Sequence, residues 1–262
     1  MRMGGGIPAI GGGMGLVGVL LYVVLNVLGG GSGGGSAGGA GGFQLPNLAP
    51  VDTPTQTGGT IPAADEEAQF VGFVIDDVQD VWRQIFADAG RSYSPTKVVL
   101  FEQATQTACG VGQSATGPFY CPADRLVYID LGFFNELQTR FGAPGDFAEA
   151  YVIAHEVGHH VQTLLGISES VRTREDGIRL ELQADCFAGV WGHAAQAEGL
   201  LERGDLEEGL GAAAAVGDDR IQEQTSGRVD PETWTHGSSE QRMEWFRRGF
   251  DSGDPERCDT FT

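Results

Sequence analysis

Two histidines and a glutamate share one short string, His155-Glu156-Val157-Gly158-His159. In a helix, residues four apart differ by about 40° of rotation and one turn of rise, so both imidazoles leave one face about 5 to 6 Å apart. That separation suits two ligands of a tetrahedral zinc ion with bonds of roughly 2.0 to 2.1 Å. Glu156 lies about 100° around the helix, where it can meet a water molecule without binding the metal. The spacing therefore predicts His155 and His159 as zinc ligands and Glu156 as the general base.

The third ligand separates the subclasses of such enzymes. A metzincin needs glycine at position 162 and histidine at position 165, but the chain has Gln162 and Leu165, so that subclass is excluded. On the next predicted helix, Glu181 and Asp185 are four residues apart and share one face. We expect Glu181 to complete a His₂Glu zinc site. We expect Asp185 to accept a hydrogen bond from the second nitrogen of a ligand histidine.

The alternative to this site is a pair of structural histidines beside a solvated acidic face. The apolar neighbours of the two carboxylates, Leu180, Leu182, Ala184 and Phe187, argue against it, because they predict a largely buried helix. A buried carboxylate without a partner is costly. A metal or a histidine partner therefore explains these carboxylates better than solvent does.

The predicted elements position the motif on a long helix. That helix runs from Asp146 to about Leu165, opens with an Asp-x-x-Glu capping box of Asp146 and Glu149, and is followed by Gly166. Further helices are predicted at about 65–89, 174–197, 205–224 and 238–250, and strands at 97–101 and 125–131. We expect an α+β fold, dominated by helices, with one small sheet. The strand near Val127 is expected to line the cleft and to pair with an extended substrate.

The N-terminal part of the chain has a different composition. No charged residue occurs from Met3 to Val51, and Met14 to Leu28 is almost wholly apolar, so residues 1–28 are predicted to be a transmembrane helix that anchors the protein. A cleaved signal peptide is the alternative. Residues 29–64, rich in Gly and Pro, are predicted to be a flexible linker to a domain at 65–262. Arg2 precedes the span and should stay inside, which would place the domain on the extracytoplasmic side of a single-pass membrane protein.

Charge and cysteine usage limit the partners and the redox chemistry. The formal net charge of -20 repels polyanions, so we expect no nucleic-acid partner. None of the four cysteines lies in a Cys-x-x-Cys pair, which favours two disulfides over a zinc ribbon or a redox site. Three connectivities are possible; the hypothesis adopted here pairs Cys109 with Cys121 and Cys186 with Cys258.

Four strings carry a resemblance to a known family: HEVGHHVQ, ELQADCFAGVW, AVGDDRIQ and HGSSEQRMEWFRRGF, in that order after a glycine-rich N-terminal span. In these the chain resembles the bacterial putative neutral zinc metallopeptidases, of gluzincin type. The resemblance covers essentially the whole chain and is most specific from His155 to Trp191. It implies a zincin-like metallopeptidase domain more firmly than any substrate.

A more distant resemblance concerns His236 and Arg242. Membrane-bound gluzincins of the CAAX-prenyl endopeptidase type have a Thr-His-Pro motif with an arginine six residues after the histidine, a spacing that Thr235, His236 and Arg242 share. This chain has Gly237 where those proteins have proline. The resemblance implies that His236 or Arg242 donates to the developing oxyanion; the alternative is a helix-capping histidine and a structural arginine.

These expectations combine into a membrane-anchored, zinc-dependent peptidase. Its substrate would be a protein or peptide, its only cofactor Zn²⁺, and its base Glu156. Two alternatives remain open at this point: a non-catalytic zinc-binding scaffold module, against which the intact Glu156 argues, and a zinc hydrolase acting on a non-peptide bond.

Overall fold

A computed structural model describes residues 66–113 and 117–262 of the chain. The predicted anchor at 1–28 and linker at 29–64 lie outside the described residues. Within the described part, no helix combines the length and apolar character needed to cross a membrane.

Helices dominate the described residues, as expected for the α+β class. There are seven α-helices: α1 (Glu66–Asp88), α2 (Leu131–Thr139), α3 (Asp146–Leu165), α4 (Arg174–Glu198), α5 (Asp205–Ala215), α6 (Asp218–Ser226) and α7 (Ser239–Ser252). Short 3₁₀ turns occupy Ser168–Ser170, Pro231–Thr233 and Pro255–Cys258. Helix α3 has the predicted bounds, while the short helix α2 was not predicted, although its buried residues Phe133, Phe134 and Leu137 have helical spacing.

The small sheet has three strands in the order β1 (Lys97–Phe101), β5 (Leu126–Asp130) and β4 (Phe119–Cys121). Strand β5 is parallel to β1 and antiparallel to β4. Both edges of β5 are therefore already paired, and the expectation that this strand binds an extended substrate is wrong. Its neighbours β1 and β4 are the two edge strands of this sheet, and β4 lines the cleft described below.

A separate hairpin joins β2 (Ala104–Thr107) to β3 (Gly110–Gln113). The sequence did not predict these strands, because β2 is short and largely polar and β3 has two glycines among its four residues. The disulfide Cys109–Cys121 connects the hairpin to the end of β4, and Cys186–Cys258 joins α4 to the C-terminal tail. Of the three possible connectivities, the structure has the one adopted from the sequence.

The predicted capping box of α3 is wrong. The N-cap residue is Gly145, not Asp146, and glycine has no side chain that could accept a hydrogen bond from the first turn. Instead Glu208, on α5, accepts a hydrogen bond from the backbone N–H of Phe147. A carboxylate distant in sequence thus satisfies an N–H group that the local pattern assigned to Asp146 and Glu149.

The single helix predicted at 205–224 is two helices, α5 and α6, which break between Ala215 and Asp218. The start of α7 packs into the break. There Ser239 donates through Oγ to the carbonyl of Ala214 at 2.7 Å, and its backbone N–H donates to Asp219 at 2.7 Å. The break turns the chain so that Asp218, buried at 3 % exposure, faces the loop before α7.

The main core surrounds α3, which packs against α1, α4 and α5. Helix α4 lies between α3 and α7, and Gly189 and Gly249 bring the backbones of α4 and α7 together. This stack of α3, α4 and α7 positions the residues of the candidate site.

Candidate metal centre

Three donor atoms converge on one point between α3 and α4. Nε2 of His155 lies 3.1 Å from Nε2 of His159 and 3.3 Å from Oε2 of Glu181. Nε2 of His159 lies 3.4 Å from Oε1 of Glu181. Donors around a tetrahedral zinc with bonds of 2.0 to 2.1 Å are about 3.3 to 3.4 Å apart. The three predicted ligands therefore fit a zinc ion in both donor type and spacing.

In both histidines, the ring nitrogen Nδ1, which points away from the shared point, donates a hydrogen bond to a protein acceptor. Nδ1 of His155 lies 2.8 Å from Oδ1 of Asp185, and Nδ1 of His159 lies 2.9 Å from Oε1 of Gln162. Because each Nδ1 donates outwards, each Nε2 has a lone pair directed to the shared point. Two lone pairs and a carboxylate at such distances repel one another unless a cation lies between them, which supports the fit to a metal.

Asp185 has the position expected of the residue that orients a ligand histidine. It is fully buried and accepts from Tyr151 Oη, from Nε of Arg242 at 2.8 Å and from Nη2 of Arg242 at 2.8 Å. Burial favours the neutral acid, but Arg242 and His155 outweigh burial and hold the pKa of Asp185 below its usual range.

Arg242 is buried, and the structure directs it to Asp185. Its remaining terminal nitrogen, Nη1, donates to the carbonyl of Val216 at 3.2 Å, and Nη2 also donates to Tyr151 Oη at 3.3 Å. All three nitrogens therefore have protein acceptors. These contacts favour a structural arginine that positions Asp185 over the oxyanion donor that the resemblance implied.

Glu156 lies beside the ligands in the same cleft and is not among the three converging donors. Its carboxylate accepts a hydrogen bond from the backbone N–H of Tyr120, in β4. Burial raises the pKa of Glu156, while the neighbouring His159 and His155 lower it. Tyr120 was not singled out from the sequence, because only the sheet brings β4 to α3.

His236 lines the cleft as well, and Asp218 holds it in place. Nδ1 of His236 lies 2.9 Å from Oδ1 of Asp218, whose Oδ2 accepts from the backbone N–H groups of Thr235, His236 and Gly237 at 2.6, 2.6 and 3.1 Å. Local sequence does not distinguish this role for Asp218 from that of a solvated charge. Gly237 has φ 93°, which proline cannot adopt, so the loop differs from a Thr-His-Pro turn.

The two other histidines near these elements bind backbone carbonyls instead of the metal point. His160 contacts the Ser94 carbonyl through Nε2 at 2.6 Å and Tyr120 Oη through Nδ1 at 3.1 Å. His193 contacts the Phe250 carbonyl at 2.8 Å. His160 thus connects β4 to α3, directly behind the predicted ligands.

A cleft of about 510 Å³ runs along α3 across the metal centre. Its lining extends from Val152, one turn before His155, to Thr163, one turn after His159. At 1.5 Å per residue this stretch of helix is about 16 Å long. An extended peptide of about five residues, at roughly 3.3 Å each, fits that length.

Comparisons with known proteins identify the family of this chain. A sequence profile described as "Putative neutral zinc metallopeptidase" matches residues 1–261. The uncharacterized protein YpfJ of Escherichia coli K12 is 53% identical over 222 residues, which are 81% of this chain and 77% of that protein. The uncharacterized protein Rv2575 of Mycobacterium tuberculosis H37Rv is 46% identical over 203 residues, 71% of this chain and 68% of that protein. No solved structure matches the chain. The chain belongs to the family of putative neutral zinc metallopeptidases.

Proposed function

We propose that the protein is a zinc-dependent peptidase that hydrolyses peptide bonds in an extended segment bound along α3. The observation that supports this most is the position of Glu156. It lies next to three converging metal donors, in a cleft long enough for a peptide, and is not itself one of the donors. A centre built only to hold zinc has no use for that carboxylate.

His155, His159 and Glu181 would hold the zinc ion, which when bound supplies Lewis-acid chemistry by polarising a carbonyl and acidifying a water molecule. The carboxylate of Glu156 accepts a proton from the attacking water and transfers it to the leaving amine. The Tyr120 N–H keeps one carboxylate oxygen in place during both transfers.

His236 is the second group with a role in this mechanism. Asp218 holds the imidazole through Nδ1 in the cleft lining, where an Nε2–H would donate to the substrate carbonyl oxygen as that oxygen gains negative charge. Arg242 also lines the cleft, but protein acceptors engage its three nitrogens, so it acts through Asp185 and His155.

The test compares the full-length wild type with Glu156→Gln. We expect both proteins to retain one zinc ion per chain by mass spectrometry, and Glu156→Gln to cleave a peptide library about 10²- to 10⁴-fold more slowly. Glu149→Gln, a matched change on the same helix but outside the cleft lining, should cleave at the wild-type rate.

The same assay separates the alternatives. Equal activity in wild type and Glu156→Gln, with zinc present in both, would contradict the mechanism. Bound zinc without any hydrolysis would favour a scaffold module. Hydrolysis restricted to esters or other non-peptide bonds would favour the second alternative.

We also propose that residues 1–28 anchor the protein in a membrane and that the metal centre lies on the extracytoplasmic side. The uncharged run from Met3 to Val51 supports an anchor. The two disulfides support the location, because disulfides persist in oxidising compartments. In a bacterial host, the full chain should sediment with membranes, and protease added to intact spheroplasts should degrade the domain. A soluble or protease-resistant domain would contradict this proposal.

A further inference from the structure

His159 is supported by a line of neutral side chains that ends in the C-terminal tail. Its Nδ1 lies 2.9 Å from Oε1 of Gln162, whose Nε2 donates to Oε1 of Gln183 at 3.1 Å. Nε2 of Gln183 donates in turn to the backbone carbonyl of Cys258 at 3.0 Å. We call Gln162, Gln183 and the Cys258 carbonyl the amide relay. It joins a predicted metal ligand on α3 to the tail by way of α4.

The direction of the amide relay is fixed by two carbonyl groups that can only accept hydrogen bonds. Nε2 of Gln162 also donates to the carbonyl of Leu180 at 2.7 Å, so this amide must present its oxygen to His159. The Cys258 carbonyl likewise requires the nitrogen of Gln183, which leaves the oxygen of Gln183 to face Gln162. Consequently Nδ1 of His159 is the protonated nitrogen, and Nε2 keeps its lone pair for the metal point.

Water cannot replace a missing member of the amide relay. Gln162 is 0 % exposed, Gln183 is 5 % exposed and Cys258 is 0 % exposed. A buried polar group that loses its partner retains the full cost of desolvation. Removal of one amide therefore leaves the others free to rotate, and the oxygen that faces His159 is no longer held there.

The last member of the amide relay is fixed by a covalent bond. Cys258 is joined to Cys186, which follows Asp185 directly on α4. Among the described residues, the tail makes one further side-chain hydrogen bond to this helix, from Thr260 Oγ1 to the carbonyl of Arg179 at 2.7 Å. The disulfide thus holds the Cys258 carbonyl at a set distance from the helix that also presents Gln183.

We propose that Gln162 and Gln183 are positioning residues that set the tautomer of His159, and that the Cys186–Cys258 disulfide maintains them, so that zinc retention depends on the C-terminal tail. The two ligand histidines would then be oriented differently, His155 by a buried ion pair and His159 by neutral amides. The proposal rests on the metal centre of the proposed function, but not on peptide hydrolysis.

Zinc affinity of the full chain, measured by competition with a chromogenic chelator, tests the glutamines. We expect Gln183→Leu to bind zinc about 10- to 100-fold more weakly than wild type. Thr260→Val, which removes the other contact of the tail but leaves the amide relay intact, should keep wild-type affinity. Circular dichroism would verify that both variants are folded. Equal affinity in Gln183→Leu and wild type would overturn the proposal.

A spectroscopic measurement distinguishes orientation of His159 from general loosening. Long-range ¹H–¹⁵N spectra of the zinc-loaded wild type should show a slowly exchanging proton on Nδ1 of His159. In Gln183→Leu that proton should exchange faster with water, whereas the Nδ1 proton of His155 should not change. A uniform effect on both histidines would refute a specific role for the amide relay.

The two disulfides provide a matched pair for the second half of the proposal. We expect Cys186→Ala/Cys258→Ala to weaken zinc binding in the same direction as Gln183→Leu. Cys109→Ala/Cys121→Ala, which removes the hairpin disulfide, should leave the affinity unchanged. Equal losses in both double variants would overturn the role of the tail. A wild type that binds no zinc would overturn the proposed function as well, whereas zinc binding without peptidase activity would leave the amide relay supported.

Discussion

Asp185 places a negative charge in the interior next to a predicted metal ligand, and its neighbours compensate that charge. Arg242 neutralises it through two hydrogen bonds, while Tyr151 and His155 donate to the same carboxylate. A buried ion pair adds little net stability over apolar residues, but removal of one partner is strongly destabilising. The group therefore fixes the geometry of His155 and makes folding depend on each of its members.

This arrangement predicts the effect of Arg242→Met on folding. The change leaves Asp185 buried without its counter-charge, and we expect a loss of about 3 to 5 kcal/mol in the free energy of unfolding. Urea denaturation would measure it. Arg248→Met, on the same helix, removes an exposed pair with Glu244 and a stacking contact with the Trp245 ring, and should cost no more than about 2 kcal/mol. Similar losses in both variants would show that Arg242 does not serve Asp185.

His236 leads to a prediction about turnover. If its Nε2–H donates to the substrate oxygen in the transition state, His236→Ala should lower kcat about 10²- to 10³-fold and leave zinc content unchanged. Asp218→Asn should lower kcat in the same direction, because a neutral amide holds the ring of His236 less firmly than the carboxylate does. His193→Ala, which changes a histidine outside the cleft lining, is the control. An unchanged kcat in His236→Ala would contradict the assigned role.

At the scale of elements, the contact between α4 and α7 decides whether Arg242 can reach Asp185. A Cβ atom at Gly249 would lie 1.9 Å from the carbonyl oxygen of Cys186, so any larger residue forces α7 away from α4. The close approach is between backbones, and no side-chain rotation can relieve it.

Gly249→Ala should therefore lower the free energy of unfolding by about 1 to 3 kcal/mol through overpacking. The control is Gly211→Ala in α5, where an added Cβ meets nothing within 4 Å. That change should instead raise stability by about 0.5 to 1 kcal/mol, because alanine loses less backbone entropy than glycine in a helix. Thermal unfolding of both variants would measure the difference. A stabilised Gly249→Ala would show that α7 can move without cost.

At the scale of the whole molecule, acidic residues outnumber basic ones and the net charge is -20. Some carboxylates therefore lie near one another, and Glu149 at the start of α3 shows how this changes a pKa. Burial, and then the charges of Glu67 and Asp146, raise the pKa of Glu149 to about 7. The folded state thus binds a proton that the unfolded state releases near pH 4.5. The stabilisation from this group is complete below about pH 4.5 and is lost as the pH rises to about 7.

Glutamine cannot ionise, so Glu149→Gln should not lose stability between about pH 4.5 and pH 7. We expect the variant to be more stable than wild type at about pH 8, and the difference to vanish at about pH 4, where the carboxyl is protonated in both states. Urea midpoints at the two pH values would measure it. A difference of the same size at both pH values would point to packing instead of ionisation.

Local pattern alone was enough to place the motif and its partners on two helices. The 3.6-residue period determines which side chains share a face, so His155, His159, Glu181 and Asp185 followed from spacing, as did the bounds of α3. The pairing of the cysteines did not follow, because sequence permits three connectivities and only the packed tail selects one.

What the tertiary structure alone decided are the contacts that support those residues. Asp218 reaches His236 through the break between α5 and α6, and Gln183 reaches the Cys258 carbonyl across 75 positions of the chain. The edge strand at the cleft is β4, whereas β5 is the central strand. Local periodicity holds no information on such pairs, because they form only when helices distant in sequence pack together. The sequence by itself determined the chemistry available at the metal centre, and packing determined which neighbours orient it.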